Sequence, residues 1–317
     1  AINADKPMQW KSDIAASIDQ YNHWFINFAP VAYRETRNKA VEKVRQDLDK
    51  TGYLMQLAPR ALMAHPAVLP TLRMSTSPPL ARDRLTGLAK VTTNLVNVLE
   101  QGKLPRRMPP ATLEQALGQI CFVITQLIDQ DLFPWLNEER MPQTTEQQRS
   151  ATVVADRLCS AVAEPIIRNS QESRQLDLIG SFLLNRGYTQ ARSDSFRLIT
   201  DMLPGTFSFR RNVPVGGVRH VNIPVDVIIQ PHYPRPKKLP LLIETKSAGD
   251  FTNTNKRRKE EATKIRQLRD EYGEDTQLVL FLCGYFNTGY LGYEAAEGLD
   301  WIWEHRIDDL LLLGIEQ

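Results

Sequence analysis

Apolar residues in the first two hundred positions recur at the spacing of α-helices. In the first such stretch they follow Ser12, which we predict caps the helix, and Pro30 is expected to end it. Further helices are predicted over residues 31–51, 113–133 and 144–167, with prolines in the breaks between them. No strand-like alternation occurs before about residue 203. The N-terminal half is therefore predicted to be all-helical.

A different pattern begins after Gly187, where short apolar runs alternate with turn residues. Residues 206–215 and 218–230 are predicted to form two strands of a hairpin, since the Gly216-Gly217 pair between them tolerates positive φ angles. The elements that follow are predicted as strand, helix, strand, helix and helix, at residues 241–246, 255–272, 277–283, 293–296 and 307–313. This pattern predicts an α/β fold with a central mixed β-sheet flanked by helices.

These two patterns predict two domains, an all-α N-terminal domain at residues 1–165 and an α/β domain at residues 166–317. The chain is 42% hydrophobic and 24% charged, which is typical of folded globular proteins. Its apolar runs reach about six residues, whereas a membrane-spanning helix needs about 20. The N-terminal residues show no secretory signal, so we expect a cytoplasmic protein. Three widely spaced cysteines form no zinc-binding motif and are predicted to be buried: Cys121, Cys159 and Cys283.

Charge is distributed unevenly along the chain, although the net charge is only +2. Residues 204–270 carry 14 Lys and Arg against 6 Asp and Glu, while residues 271–317 carry 1 against 10. A basic segment of this kind can attract a polyanion, because Lys and Arg displace counterions from phosphates. The alternative is a solvated helix face.

Three charged residues interrupt apolar strands in the α/β half. Asp226 lies within the apolar run of residues 222–229, where a carboxylate is unfavourable unless it is paired or binds a metal. Glu244 and Lys246 lie on one face of the next strand, about 6 to 7 Å apart at the usual rise. If the two strands are neighbours, the three side chains meet. The alternative is an ion pair on an exposed sheet face.

This arrangement, an Asp followed by Glu-x-Lys, resembles the active site of PD-(D/E)xK nucleases. Two carboxylates can hold Mg²⁺, which offsets charge on the scissile phosphate and lowers the pKa of a bound water. Lys246 would orient or deprotonate that water and offset negative charge in the transition state. Nucleases of this class often carry a further acid on a preceding helix. We assign that role to Asp177 in preference to Glu172; the alternative is a surface carboxylate.

Basic and amide side chains follow the catalytic strands and are predicted to contact DNA. A basic first helical turn opposes the helix dipole, so phosphate contact explains it better than helix stability. Asn253 or Thr254 is the expected N-cap of that helix. The predicted phosphate-contacting and base-contacting residues of this region are Asn253, Asn255, Lys256, Arg257, Arg258 and Lys259 in the helical segment, and Arg235, Lys237 and Lys238 in the proline-rich loop between the strands. The other basic residues of the helix, Lys264 among them, are predicted to be partly solvated.

Residues 81–102 have the apolar spacing of a helix-turn-helix. In such a unit the early polar residues of the second helix face base edges in the major groove, and here those are Thr92, Thr93 and Asn94. The alternative is an ordinary pair of packed helices, because this spacing is common in helical proteins.

Longer stretches resemble the XamI family of type II restriction endonucleases. The matching segments are residues 4–7, 10–11, 24–25, 205–209, 222–226 and 243–253. The resemblance implies a restriction-endonuclease-like fold and a Mg²⁺-dependent endonuclease acting on double-stranded DNA, with Asp226, Glu244 and Lys246 at the matched catalytic positions. One departure is that Val225 separates Pro224 from Asp226, which leaves the chemistry intact because proline is no ligand.

The resemblance favours site-specific hydrolysis of phosphodiester bonds that leaves 5′-phosphate ends. A structure-specific repair or resolvase nuclease and a non-catalytic DNA-binding regulator remain alternatives. Cleavage of both strands of a palindrome suggests a homodimer. A restriction enzyme also implies a cognate DNA methyltransferase as a genetic partner.

Overall fold

The computed structural model describes residues 1–192, 196, 198–216, 221–234 and 239–316, with only the backbone at Glu164 and at residues 253–259. The chain divides into two compact units. One contains residues 1–29 and 167–317, and the other contains residues 30–166. The helices of these ranges are α1 (Pro7–Lys50), α2 (Pro59–Ala64), α3 (Leu69–Met74), α4 (Arg82–Ala89), α5 (Thr93–Glu100), α6 (Pro110–Leu127), α7 (Thr144–Ser160), α8 (Ala163–Leu184), α9 (Phe251–Tyr272) and α10 (Thr288–Ala296). Short 3₁₀ helices occur at Pro66–Val68, Pro134–Leu136, Ile199–Asp201 and Glu304–Leu313.

A six-stranded mixed sheet organises the first unit. Its strands are β1 (Thr189–Gln190), β2 (Thr206–Val215), β3 (Val221–Gln230), β4 (Leu241–Ala248), β5 (Leu278–Gly284) and β6 (Asp300–Trp303). They follow one another in sequence order across the sheet. The β2–β3 and β3–β4 pairs are antiparallel, whereas the β1–β2, β4–β5 and β5–β6 pairs are parallel. The predicted α/β fold with a mixed sheet is confirmed.

Helices cover both faces of the sheet because the central strands are apolar on both sides. Every residue of β5 is buried, as expected for a strand enclosed by helices. Ile179 of α8 belongs to the apolar cluster that contains Ile243 of β4. On the opposite face, Ile265 and Leu268 of α9 cluster with Leu242. Successive residues of β4 therefore point to different helices, and its polar side chains lie between two apolar layers.

Helix α1 differs from the prediction at both of its ends. It begins at Pro7, before the predicted cap Ser12, and it continues through Pro30 to Lys50. A proline inside a helix costs about 3 kcal/mol. The helix buries Tyr21 and Trp24 before Pro30, and Val44 and Leu48 after it, so both parts are held by tertiary packing. Burial of these side chains outweighs the tendency of Pro30 to end the helix.

Residues 1–29 lie in the unit that contains the sheet, although we expected them within a helical domain of residues 1–165. The ring of Trp10 packs edge-on against Trp301 with centroids 5.4 Å apart. The carboxylate of Asp300 accepts hydrogen bonds from the backbone N–H groups of Asn3, at 2.9 Å, and Ala4, at 3.0 Å. These contacts attach the N-terminus to strand β6.

The second unit, residues 30–166, is helical apart from one isolated bridge between Thr76 and Ile128 in the described chain. Its core includes the fully buried Trp135 and Val154. Cys121 and Cys159 are buried here as free thiols, and so is Cys283 in the first unit, as predicted. None of the described helices combines the length and apolar character needed to cross a membrane.

Candidate active site

Strands β3 and β4 separate at the position of Asp226. Their regular pairing ends at Val227 opposite Ile243, so one further step of the ladder would place Asp226 opposite Glu244. Beyond that point the Asp226 side chain, and not backbone pairing, links the two strands. Its Oδ2 atom accepts hydrogen bonds from the backbone N–H of Thr245, at 2.8 Å, and from the Thr245 hydroxyl, at 2.9 Å. The carboxylate is thereby fixed between the two strands.

Glu244 lies within this opening and is only 6% exposed. Its Oε1 atom accepts hydrogen bonds from the ammonium groups of Lys246, at 3.2 Å, and Lys264, at 2.7 Å. Its Oε2 atom is buried and has no hydrogen-bond partner among the described residues. The structure therefore brings Asp226, Glu244 and Lys246 together, as the strand alternation predicts.

Helix α9 contributes two residues that the sequence analysis did not assign to the site. Lys264 is partly solvated, as predicted, and its ammonium also binds Glu244 and the backbone oxygen of Pro224, at 3.3 Å. Glu261 is fully buried, and its Oε1 lies 2.6 Å from the ammonium nitrogen of Lys246. One signal was available, because Glu261 and Lys264 flank the apolar stripe of Ala262 and Ile265 on the face that packs against the sheet.

The buried charges perturb each other's proton affinities. Burial, reinforced by the negative charge of Glu244, raises the pKa of Asp226 above its usual range, although the hydrogen bonds from Thr245 and the charge of Lys246 oppose this change. Burial alone would lower the pKa of Lys246, but the charges of Glu244 and Glu261 outweigh it and the pKa is raised. Lys246 thus forms ion pairs with both Glu244 and Glu261.

The donor atoms of the site suit a hard divalent cation. The described residues contain no group of three or more His, Cys, Asp and Glu side chains that could hold a metal ion. Mg²⁺, however, keeps several of its waters and is commonly bound through only one or two carboxylates. Asp226 and Glu244 supply two, and the unpartnered Oε2 of Glu244 together with the raised pKa of Asp226 fits a site that a cation would stabilise.

The predicted third acid, Asp177, lies exposed on α8. Gln175 of the same helix is buried, with its amide nitrogen 3.4 Å from the backbone oxygen of Phe281 and 3.5 Å from that of Lys246. Glu172, the acid we passed over, forms an ion pair with Arg210 at 2.9 Å. A role for Asp177 in metal binding remains a prediction that these contacts do not support.

The predicted DNA-contacting side chains near the catalytic strands lie outside the described part of the chain. Arg235, Lys237 and Lys238 lie in the segment that is not described. The other six predicted contacts have only their backbone described, within α9: Asn253, Asn255, Lys256, Arg257, Arg258 and Lys259. The predicted caps, Asn253 and Thr254, were wrong, because α9 begins at Phe251 and the Asp250 carboxylate accepts a hydrogen bond from the Thr252 N–H at 2.8 Å.

The proposed helix-turn-helix segment consists of α4 and α5 in the helical unit. Lys90, in the turn between them, adopts a left-handed conformation with φ of 52°. Thr92 caps α5, since its hydroxyl accepts a hydrogen bond from the N–H of Leu95 at 3.2 Å. Thr93 and Asn94 are exposed on the first turn. The segment has two helices and a short turn, and the base-reading role of its polar residues stays a prediction.

Comparison with known proteins places this geometry in context. The sequence profile of the XamI restriction endonuclease family matches residues 52–303. A relative described as "Type II restriction enzyme SalI", from Streptomyces albus G, is 56% identical over 313 residues, which cover 99% of each chain. "Type II restriction enzyme XamI", from Xanthomonas campestris pv. amaranthicola, is 27% identical over 188 residues, which cover 59% of this chain and 60% of the relative. No solved structure matches the chain.

Proposed function

The chain belongs to the XamI restriction endonuclease family, and from this premise we propose that it cleaves double-stranded DNA at a specific sequence, using Mg²⁺ and leaving 5′-phosphate ends. The resemblance predicted from its residues is confirmed, and the protein is an enzyme, a type II restriction endonuclease that acts on DNA. One observation carries the proposal for its site. Asp226, Glu244 and Lys246 meet where β3 and β4 separate.

Asp226 and Glu244 would hold the divalent metal through carboxylate oxygens. When bound, Mg²⁺ would offset charge on the scissile phosphate and lower the pKa of a bound water. Thr245 fixes Asp226 through two hydrogen bonds to Oδ2, which leaves its other oxygen for a ligand. Glu244 keeps its buried Oε2 for the same purpose, because Lys246 and Lys264 both bind Oε1.

Lys246 would act as a charged hydrogen-bond donor. Its ammonium lies beside Glu244 and Glu261, and both carboxylates favour the charged form. We therefore assign Lys246 to orienting the attacking water and to stabilising negative charge on the phosphate, and not to removing a proton from the water. This role requires that the side chain stay where the strands separate.

The proposed function also requires residues that contact DNA and an assembly that cuts both strands. We assign phosphate contacts to the basic first part of α9 and to Lys237 and Lys238, and base contacts to Asn253, Asn255 and Arg235. Thr92, Thr93 and Asn94 are second candidates for base contacts. Two protomers related by a two-fold axis would cut the two strands of a palindromic site. A methyltransferase of the same specificity would protect the host DNA.

Incubation of the protein with phage DNA, with and without Mg²⁺, tests this function. We expect discrete fragments in the presence of Mg²⁺, with ends that a ligase rejoins without added kinase because they carry 5′-phosphates. The Asp226→Ala variant should give none, whereas the matched control Glu274→Ala, at an exposed carboxylate of the same unit, should cut normally. A smear or structure-dependent nicks would instead indicate a repair-type nuclease.

A further inference from the structure

Glu261 is a buried carboxylate for which the proposed cleavage chemistry has no direct use. It lies on α9, is 0% exposed, and neighbours the residues with which this helix packs on the sheet. Removing a carboxylate from water costs several kcal/mol unless a charge of opposite sign repays it. In the described part of the chain, Glu261 forms an ion pair with Lys246, and neither of its buried carboxylate oxygens has a partner in hydrogen-bond geometry.

Among the described residues, Lys246 forms ion pairs with Glu244 and Glu261, and the contact with Glu261 is the shorter. The ammonium nitrogen lies 2.6 Å from Oε1 of Glu261 and 3.2 Å from Oε1 of Glu244. Glu244 has a second cation, Lys264, at 2.7 Å. Lys246 is therefore held from the helix side by Glu261 and from its own strand by Glu244.

Glu244 and Glu261 have different roles in the proposed site. Glu244 is one of the two residues that would hold a metal, and a cation there would weaken its attraction for Lys246. Glu261 lies on a different element, helix α9, and its ion pair with Lys246 is formed directly and not through Glu244. A buried ion pair seldom stabilises a fold more than apolar residues of similar volume would, so stability alone does not explain this pair.

We propose that Glu261 is a positioning residue, which holds the Lys246 ammonium beside the scissile phosphate through the 2.6 Å ion pair while Glu244 binds metal. This inference rests on the proposed function of Lys246 and extends it to a residue on α9. In this proposal Glu261 acts on the reaction through Lys246.

Cleavage kinetics provide the first test, with Glu260→Gln as the matched control because Glu260 is the exposed neighbour on the same helix. Glu261→Gln should lower the single-turnover cleavage rate by about 10- to 100-fold, since a small misplacement of a reacting group has effects of this size. DNA affinity without metal should stay unchanged. Glu261→Ala should lower the rate further, because Gln still offers Lys246 an oxygen acceptor, and Glu260→Gln should cleave normally.

A double-mutant cycle separates positioning from a general structural effect. In a Lys246→Gln background, adding Glu261→Gln should change the residual rate by less than about twofold, because the residue through which Glu261 acts is gone. A full additional loss would overturn the inference, as would a normal rate in Glu261→Ala.

Thermal unfolding of the metal-free protein gives a readout that is independent of cleavage. Lys246→Gln should lower the Tm by leaving Glu261 buried without its cation, and adding Glu261→Gln should restore part of the loss, whereas adding Glu260→Gln should not. Additive losses would overturn the inference. If the unsubstituted protein failed to cut DNA with Mg²⁺, the proposed function would fall, while a normal rate in Glu261→Ala would remove Glu261 alone.

Discussion

Replacing Asp226 by Asn should stabilise the metal-free protein while abolishing cleavage. The raised pKa of Asp226 means that its ionised form is less favourable in the folded chain than in the unfolded chain, mainly because the carboxylate is buried and secondly because Glu244 is near. Above the raised pKa the ionised group therefore costs stability. Asn removes the charge, and its amide oxygen can still accept the hydrogen bonds from the Thr245 N–H and hydroxyl.

We expect Asp226→Asn to raise the free energy of unfolding by roughly 0.5 to 2 kcal/mol, which is typical of a single stabilising substitution. In a chain of this length that corresponds to a rise in Tm of about 1 to 3 °C. The sign also fixes the pH dependence. The penalty is fully present above the raised pKa and disappears as the pH falls below the ordinary value, so the two proteins should converge in acid.

Thermal unfolding in a chelating buffer, between pH 8 and about pH 4, measures the difference directly. Asp19→Asn is the matched control, because Asp19 is an exposed residue of α1 in the same unit and should show no gain. Mg²⁺ at about 100 times its Kd should then stabilise the unsubstituted protein by roughly 2.7 kcal/mol and Asp226→Asn by much less. A less stable Asp226→Asn, or equal stabilisation of both proteins by Mg²⁺, would refute the electrostatic reasoning.

Two further predictions concern DNA binding. Neutralising Arg257, Arg258 and Lys259 together should weaken binding to all sequences alike and reduce the slope of log K against log salt by up to about 2.7, which titrations at several salt concentrations measure; an unchanged slope would return these residues to the solvated surface. Arg235→Ala or Asn253→Ala should relax sequence preference, at about 1 to 3 kcal/mol per lost bidentate base contact, on a panel of sites with single-base substitutions. A uniform drop across that panel would assign both residues to the DNA backbone.

The sequence pattern predicts the sheet well where strands are long and apolar. Residues 206–215 were predicted as a strand, and β2 has those bounds. The sequence pattern did not predict β1 and β6, which have two and four residues, because alternation cannot be recognised over so few positions. The terminal helix predicted at residues 307–313 is instead a 3₁₀ segment from Glu304 to Leu313.

The part of the site that lies on neighbouring strands was accessible from sequence for a physical reason. A period of two places Glu244 and Lys246 on one face of β4. Consecutive strands are commonly neighbours in a sheet, so Asp226 of β3 was expected to lie beside them. The positions of Glu261 and Lys264 depend on how α9 rotates when it packs on the sheet. That rotation is set by tertiary contacts of Ile265 and Leu268 and not by the local pattern.

The most direct test of the central claim is the cleavage of duplex DNA by Asp226→Ala, Glu244→Ala and Lys246→Ala, with DNA affinity and metal binding measured on the same preparations. Each variant should fail to cut while binding DNA nearly as well as the unsubstituted protein. Calorimetry should show metal binding lost in the two carboxylate variants and kept in Lys246→Ala. Near-normal cleavage by any of the three would contradict the account of this site.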